Sequence, residues 1–179
     1  MATVALLVGF AASPLLAGEA AGREYAIKAA FLYNLASYVT WPAAAPGGAD
    51  EPFVIGVLGT DPFGAMLDEI AATKTVEGRK IVVRRFRGLA DLAPCHVLFL
   101  TATEAKHLEP VLQKVGASPV LLAADTQGAA TRGVHVNFFI ESNKVRFEVN
   151  AEAAQRAGLR LSSRLLRLAR IVEPAKGGS

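Results

Sequence analysis

The chain alternates long apolar stretches with short polar interruptions, and the period of that alternation changes along its length. From Glu24 to Val39 the apolar residues Ile27, Ala30, Phe31, Leu35, Tyr38 and Val39 recur at helical spacing, with a second stripe at Tyr25, Leu32 and Ala36. A helix apolar on two sides is either deeply buried or covered by a partner. Thr40-Trp41-Pro42 ends it, because the residue before proline is pushed out of the α region. The loop from Ala43 to Pro52 then leads to Phe53-Val54-Ile55-Gly56-Val57-Leu58, an unbroken apolar run that predicts a strand covered on both faces.

Further on, Gly59-Thr60-Asp61-Pro62-Phe63-Gly64 predicts a turn into a helix reaching about Ala72, with Asp61 as N-cap and Pro62 at the first helical position. Thr75 to Gly78 reads as a turn, Ile81 to Phe86 as a second strand, and the region of Leu89 as a short helical turn. A third strand spans His96 to Leu100. Leu108, Val111, Leu112 and Val115 mark an amphipathic helix, and Pro119 to Ala123 a fourth strand.

The sharpest local pattern follows. A two-residue turn at Ser142-Asn143 pairs Ile140 with Val145, Phe138 with Phe147 and Val136 with Val149 on one face. The same register pairs Glu141 with Lys144 and Asn137 with Glu148 on the other, and sets Phe139 beside Arg146. Ala151 to Ala157 reads as a helix stopped by Gly158. Ser162-Ser163 are N-caps for a final helix with Leu165, Leu168 and Val172 on one side and Arg164, Arg167 and Arg170 on a neighbouring strip. Strands alternating with helices and closing on a hairpin predict an α/β three-layer sandwich with a largely parallel, mixed sheet and a C-terminal antiparallel hairpin at its edge. One domain accounts for residues 24–172, with no internal repeat or linker, and residues 173–179 form a frayed tail.

Composition changes this picture only at the N-terminus. The chain has 179 residues, 52% of them hydrophobic and 20% charged, with a formal net charge of +3. These are globular values. The first charge is Glu19, and the apolar run before it is shorter than the ~20 residues of a membrane span, so residues 1–20 read as a signal peptide. Gly18 and Ala20 supply small residues for a cut after Ala20. Met1-Ala2-Thr3 lacks the usual basic residue, and a buried N-terminal helix or strand is the alternative. Export would place the protein outside the cytoplasm.

Residue types that carry chemistry are scattered. His96, His107 and His135 are far apart, and Cys95 is the only cysteine, so no metal-ligand pair is present. His96 and His135 read as hydrogen-bonded strand residues, and Cys95 as a small core hydrophobe. No nucleophile elbow, phosphate loop or convergent carboxylate pair is found. No catalytic residue, cofactor or metal is expected. The arginines lack interleaved aromatic stacking positions, which argues against nucleic acid. One ligand site is a candidate: the Gly59–Gly64 turn, with Gly59, Asp61 and Phe63, offers backbone amides at the carboxyl end of a strand. Asp61 would repel an anion there.

The segments Lys28-Ala29-Ala30-Phe31-Leu32-Tyr33-Asn34 to Trp41-Pro42, Phe53 to Gly64, Cys95-His96-Val97-Leu98-Phe99, Val136-Asn137-Phe138, Val145 to Asn150 and Ser162 to Arg170, in that order, resemble the YfiR-like family of periplasmic regulators. The resemblance covers about residues 24–172. It implies a periplasmic homodimer that binds the periplasmic sensor portion of an inner-membrane diguanylate cyclase and represses it, with relief through an outer-membrane lipoprotein. It maps partner contact onto Gly158, Leu161, Ser162 and Leu168, and Arg164 and Leu165 of the same segment join them as candidates. The best-known members carry disulfides, which a single Cys95 cannot form. The alternative is a small-molecule receptor, built on the Gly59–Gly64 turn, that signals to a membrane histidine kinase.

Overall fold

The computed structural model describes residues 14–48, 50–115 and 118–174. Its first helix, α1 (Pro14–Ser37), is followed by a two-residue strand β1 (Val39–Thr40) and then by β2 (Phe53–Leu58), α2 (Met66–Thr73), β3 (Thr75–Val76) and β4 (Arg79–Phe86). Next come β5 (Val97–Leu100), α3 (Leu108–Val115), β6 (Leu121–Ala124), β7 (Val136–Glu141) and β8 (Lys144–Val149). The chain closes with α4 (Ala151–Arg156), β9 (Arg160–Leu161), α5 (Ser163–Leu168) and β10 (Arg170–Ile171).

Among the described residues, eight strands form one mixed sheet in the order β10-β8-β7-β6-β5-β2-β4-β3. β4, β2, β5, β6 and β7 run parallel, β8 returns antiparallel to β7, and β3 is antiparallel to β4. Every residue of β2, β5 and β6 is buried, as their unbroken apolar sequences require when helices cover both faces. Phe53, Ile55, Val57, Val97, Phe99, Leu121 and Ala123 pack on one side with α1, α2, α4 and α5. Their neighbours Val54, Leu58, Leu98, Leu100, Leu122 and Ala124 pack on the other with α3. This is the expected three-layer α/β sandwich.

The hairpin has the predicted register at all six positions, from Val136↔Val149 to Glu141↔Lys144. Its turn places Ser142 at φ 50° and Asn143 at φ 58°. It stands at one end of the sheet, with only the two-residue β10 outside it, parallel to β8 through Arg170↔Glu148 and Ile171↔Val149. That strand corrects one expectation. The final helix does not run on to Val172 but stops at Leu168, and Ala169 at φ −92° and ψ 153° turns the chain back onto the sheet.

Two other expectations also need correction. Asp61 does not cap α2, which begins at Met66 after Ala65, a cap position without a side-chain bond. Instead Asp61 Oδ1 accepts the Phe63 amide at 2.7 Å, closing a local Asx turn that competes with helix initiation. On α1 the apolar stripe turned to the sheet is Ala29, Leu32, Leu35 and Ala36, whereas Ile27 remains 42% exposed. Of the expected leader, residues 1–13 lie outside the described residues. Residues 14–20 are the start of α1, which runs unbroken past Ala20, and Gly18, Glu19, Ala20 and Ala21 are exposed. Residues 175–179 of the expected tail likewise lie outside the described residues.

Candidate functional site

The C-terminal segment is built from local signals that the sequence carries openly. Asn150 Oδ1 accepts the Ala153 amide and starts α4, and Gly158, at φ 74°, ends it in a conformation that costs a side-chain-bearing residue about 1 kcal/mol or more. The chain then lays β9 against β1, pairing Leu161 with Val39 and Arg160 with Thr40. Ser162 donates its amide to the Tyr38 carbonyl and its Oγ accepts the Leu165 amide at 3.2 Å, so α5 starts where α1 ends.

The six residues expected to meet a partner fall into different environments. Gly158 and Arg164 are exposed, Leu161 and Ser162 half-buried, and Leu168 is 66% exposed. Leu165 is 2% exposed and belongs to the core, so it supports the surface from below. The arginine strip is divided by the end of α5. Arg164 lies 5.5 Å from the Tyr38 ring centroid, Arg167 is exposed, and Arg170 is on β10. Arg170 there pairs with Glu141 at 2.5 Å and lies 4.3 Å from the Phe139 ring centroid. Ile171 beside it is 52% exposed. The outcome is an apolar and cationic surface held in place by the β1–β9 pair.

The Gly59–Gly64 turn lies where the strand order reverses, between the carboxyl ends of β2 and β5, the position at which open α/β sheets bind ligands. Here the turn is crowded by the protein's own side chains. Gly59, at φ 99°, approaches Thr101 and Thr103 so closely that a Cβ would stand 2.3 Å from Thr101 Oγ1. The Gly59 amide donates to the Phe86 carbonyl and the Thr60 amide to Thr103 Oγ1. Asp61 Oδ2 pairs with Arg85 Nε at 2.7 Å, and Phe63 is buried against Tyr25 and Phe99.

Next to it is a polar cluster that sequence reasoning missed. Lys28, 3% exposed, sends Nζ to Asp125 Oδ2 at 2.7 Å and to Glu24 Oε1 at 2.5 Å, while the Tyr25 hydroxyl donates to the same Asp125 oxygen at 2.8 Å. Burial first, then the bond to Asp125, pushes the Tyr25 phenol well above its usual pKa. Asp125 follows the last residue of β6, so the cluster fastens α1 across the carboxyl edge of the sheet. Ninety-seven residues separate Lys28 from Asp125, and no local pattern joins them.

His96 and His135 share one arrangement at the amino ends of β5 and β7. Val54 donates its amide to His96 Nδ1, and Leu122 donates its amide to His135 Nδ1, each at 3.0 Å. Each ring thereby serves as an extra rung of the parallel ladder. Burial lowers both pKa values to about 4, with Arg79 adding to the effect at His96 and Arg156 at His135. Cys95 is buried and its thiol pushed up to about 12 by desolvation. Both histidines and the thiol are therefore neutral at pH 7. Among the described residues no group of three His, Cys, Asp or Glu side chains could hold a metal, and no helix is long and apolar enough to cross a membrane.

Residues 25–170 match the family model DUF4154, described as YfiR/HmsC-like. The chain belongs to that family. The match runs from the first turns of α1 that meet the core to the first residue of β10, and so includes both the C-terminal segment and the Lys28–Asp125 cluster. No curated protein is similar enough to the chain to count as a relative. The YfiR/HmsC-like family is one of periplasmic regulatory proteins that act on membrane signalling proteins.

Proposed function

We propose that this protein is an exported, non-catalytic repressor. It docks on the periplasmic sensor portion of an inner-membrane diguanylate cyclase and so lowers cyclic di-GMP and biofilm formation. Family membership over residues 25–170 carries the reading. The exposed Leu168 and Ile171, flanked by Arg164 and Arg167, supply a surface suited to a partner that is apolar at its centre and acidic at its rim. The working form is a homodimer cleaved near Ala20, and exposure of residues 18–21 fits a leader that forms no part of the core. An outer-membrane lipoprotein competing for the same surface would lift the repression. Neutral His96, His135 and Cys95, each buried in the fold, are in keeping with a binding role.

The test is a chromosomal deletion complemented in trans. Deletion should raise cyclic di-GMP and biofilm, the intact chain should restore both, and a chain carrying Leu168→Glu should not. Unchanged cyclic di-GMP after deletion rules out the cyclase as the target.

A further inference from the structure

At the opposite, amino-terminal edge of the sheet the structure has a cleft of about 430 Å³, within the ~300–1,000 Å³ usual for small-molecule sites. Its walls are mostly apolar, among them Leu92, Ala93, Leu98 and Val120, with Ser118 and Lys114, whose Nζ is held by the Leu89 carbonyl, also on the lining, and it opens the α3 side of the core to solvent. Pro46 and Pro94 form a shared wall with a second recess of about 160 Å³. That recess has a mixed lining, with Val54 and Val82 beside three groups that carry charge or hydrogen bonds. It is lined by Arg84, for which no carboxylate partner stands among the described residues, by Glu51, and by His96.

His96 is 1% exposed. Because Nδ1 accepts the Val54 amide, the ring proton is on Nε2, and this N–H is buried without a hydrogen-bond partner. The Pro46 carbonyl stands on that side but does not complete the bond. An unpaired buried donor is destabilising, and an arriving acceptor relieves that cost. Arg79, which holds the backbone carbonyls of Glu51 and Pro52, adds positive potential at the same ring.

We infer that the two spaces are one site for a small amphiphilic carboxylate, with the apolar body in the larger cleft and the carboxylate at His96 Nε2–H and Arg84. Glu51 opposes the anion and sets a ceiling on affinity. The site is separate from the C-terminal surface and does not depend on the identity of any protein partner. A Cβ added at Gly158 would lie 3.6 Å from Pro42 Cγ, so the 42–46 segment runs from beside that surface to the cleft wall.

The experiment uses the purified protein with decanoate, decanol and decyltrimethylammonium, each below its micelle concentration, read by thermal unfolding and calorimetric titration. Decanoate should raise Tm, since a ligand that binds only the folded state stabilises it, and decanol should do so less. Arg84→Gln should weaken decanoate binding by about fivefold and Glu51→Gln should tighten it, as expected for a partly exposed charge contact. Ala93→Trp, on a half-buried wall, should fill the cleft and abolish the shift while leaving the ligand-free Tm close to that of the parent. No shift with decanoate overturns the site. So does an equal shift with the decyl cation, or a decanoate shift that survives Ala93→Trp.

Discussion

Lys28 Nζ lies 2.7 Å from Asp125 Oδ2, and both side chains are 4% exposed. The pair decides which face of α1 meets the sheet. With Lys28 drawn inward, Ala29, Leu32 and Leu35 must follow it into the core, and Ile27 is left at the surface. Removing one partner strands a buried charge, so Lys28→Met should cost about 3–5 kcal/mol in urea denaturation. The double variant Lys28→Met, Asp125→Leu should recover at least half of that loss, because the buried carboxylate is gone and Glu24, which also loses Lys28, is partly exposed to solvent. A single-variant loss below about 0.5 kcal/mol, the size of an ordinary surface change, would show that the pair does not hold the helix.

The two strand-end histidines give stability a pH dependence. Their folded pKa values, about 4, lie below the unfolded value near 6.5. Between those values the unfolded chain binds protons that the folded chain excludes. The contribution is therefore complete above about pH 6.5 and is lost as pH falls towards 4, at up to about 1.4 kcal/mol per pH unit for each ring. Replacing either by Asn keeps an oxygen near the position of Nδ1 and removes the titration. Denaturation midpoints measured from pH 7 to pH 4.5 should fall for the parent and flatten by about half in His135→Asn.

How much of this was legible depended on how local the cause was. The hairpin register follows from side-chain alternation within fifteen residues, and Ser162 and Gly158 act on amides or turns beside them. The buried strands were visible because a parallel sheet with both faces covered needs uninterrupted apolar residues. The orientation of α1 was not, because two apolar stripes competed and the deciding contact to Asp125 comes from a distant strand. Asp61 was misassigned because an Asx turn and a helix cap use the same side chain in the same place. The shift from α5 to β10 depends on an open position beside β8, which Leu168 and Val172 do not reveal. For the candidate surface, types and order were readable, while the division into exposed Leu168 and buried Leu165 required the fold.

The turn of the hairpin makes a third prediction. Ser142 and Asn143 both have positive φ, the two-residue geometry that favours Asn followed by Gly. Asn143→Gly relieves a left-handed residue but enlarges the unfolded ensemble, so alone it should change stability by less than about 0.5 kcal/mol. Ser142→Asn places the better residue at the first position without that entropic cost. The pair together should raise the unfolding free energy by about 0.5–1 kcal/mol. A loss in the double variant would mean that Ser142 has a role outside the turn.

Leu165 and Leu168 are on the same short helix, one at 2% and the other at 66% exposure, and they separate folding from docking. Leu165→Ala should cost about 2–5 kcal/mol, the range for a buried leucine whose site cannot collapse, and any loss of partner binding should follow the loss of folded protein. Leu168→Glu removes no buried contact and should move the midpoint by no more than about 0.5 kcal/mol. At the centre of an apolar interface the same change would bury a carboxylate without a counter-charge, and binding to the membrane sensor should drop by at least about tenfold. Measuring both variants for midpoint and for sensor capture gives a decisive comparison. If Leu168→Glu binds as well as the parent, the exposed end of α5 is not the docking surface, whatever Leu165→Ala does.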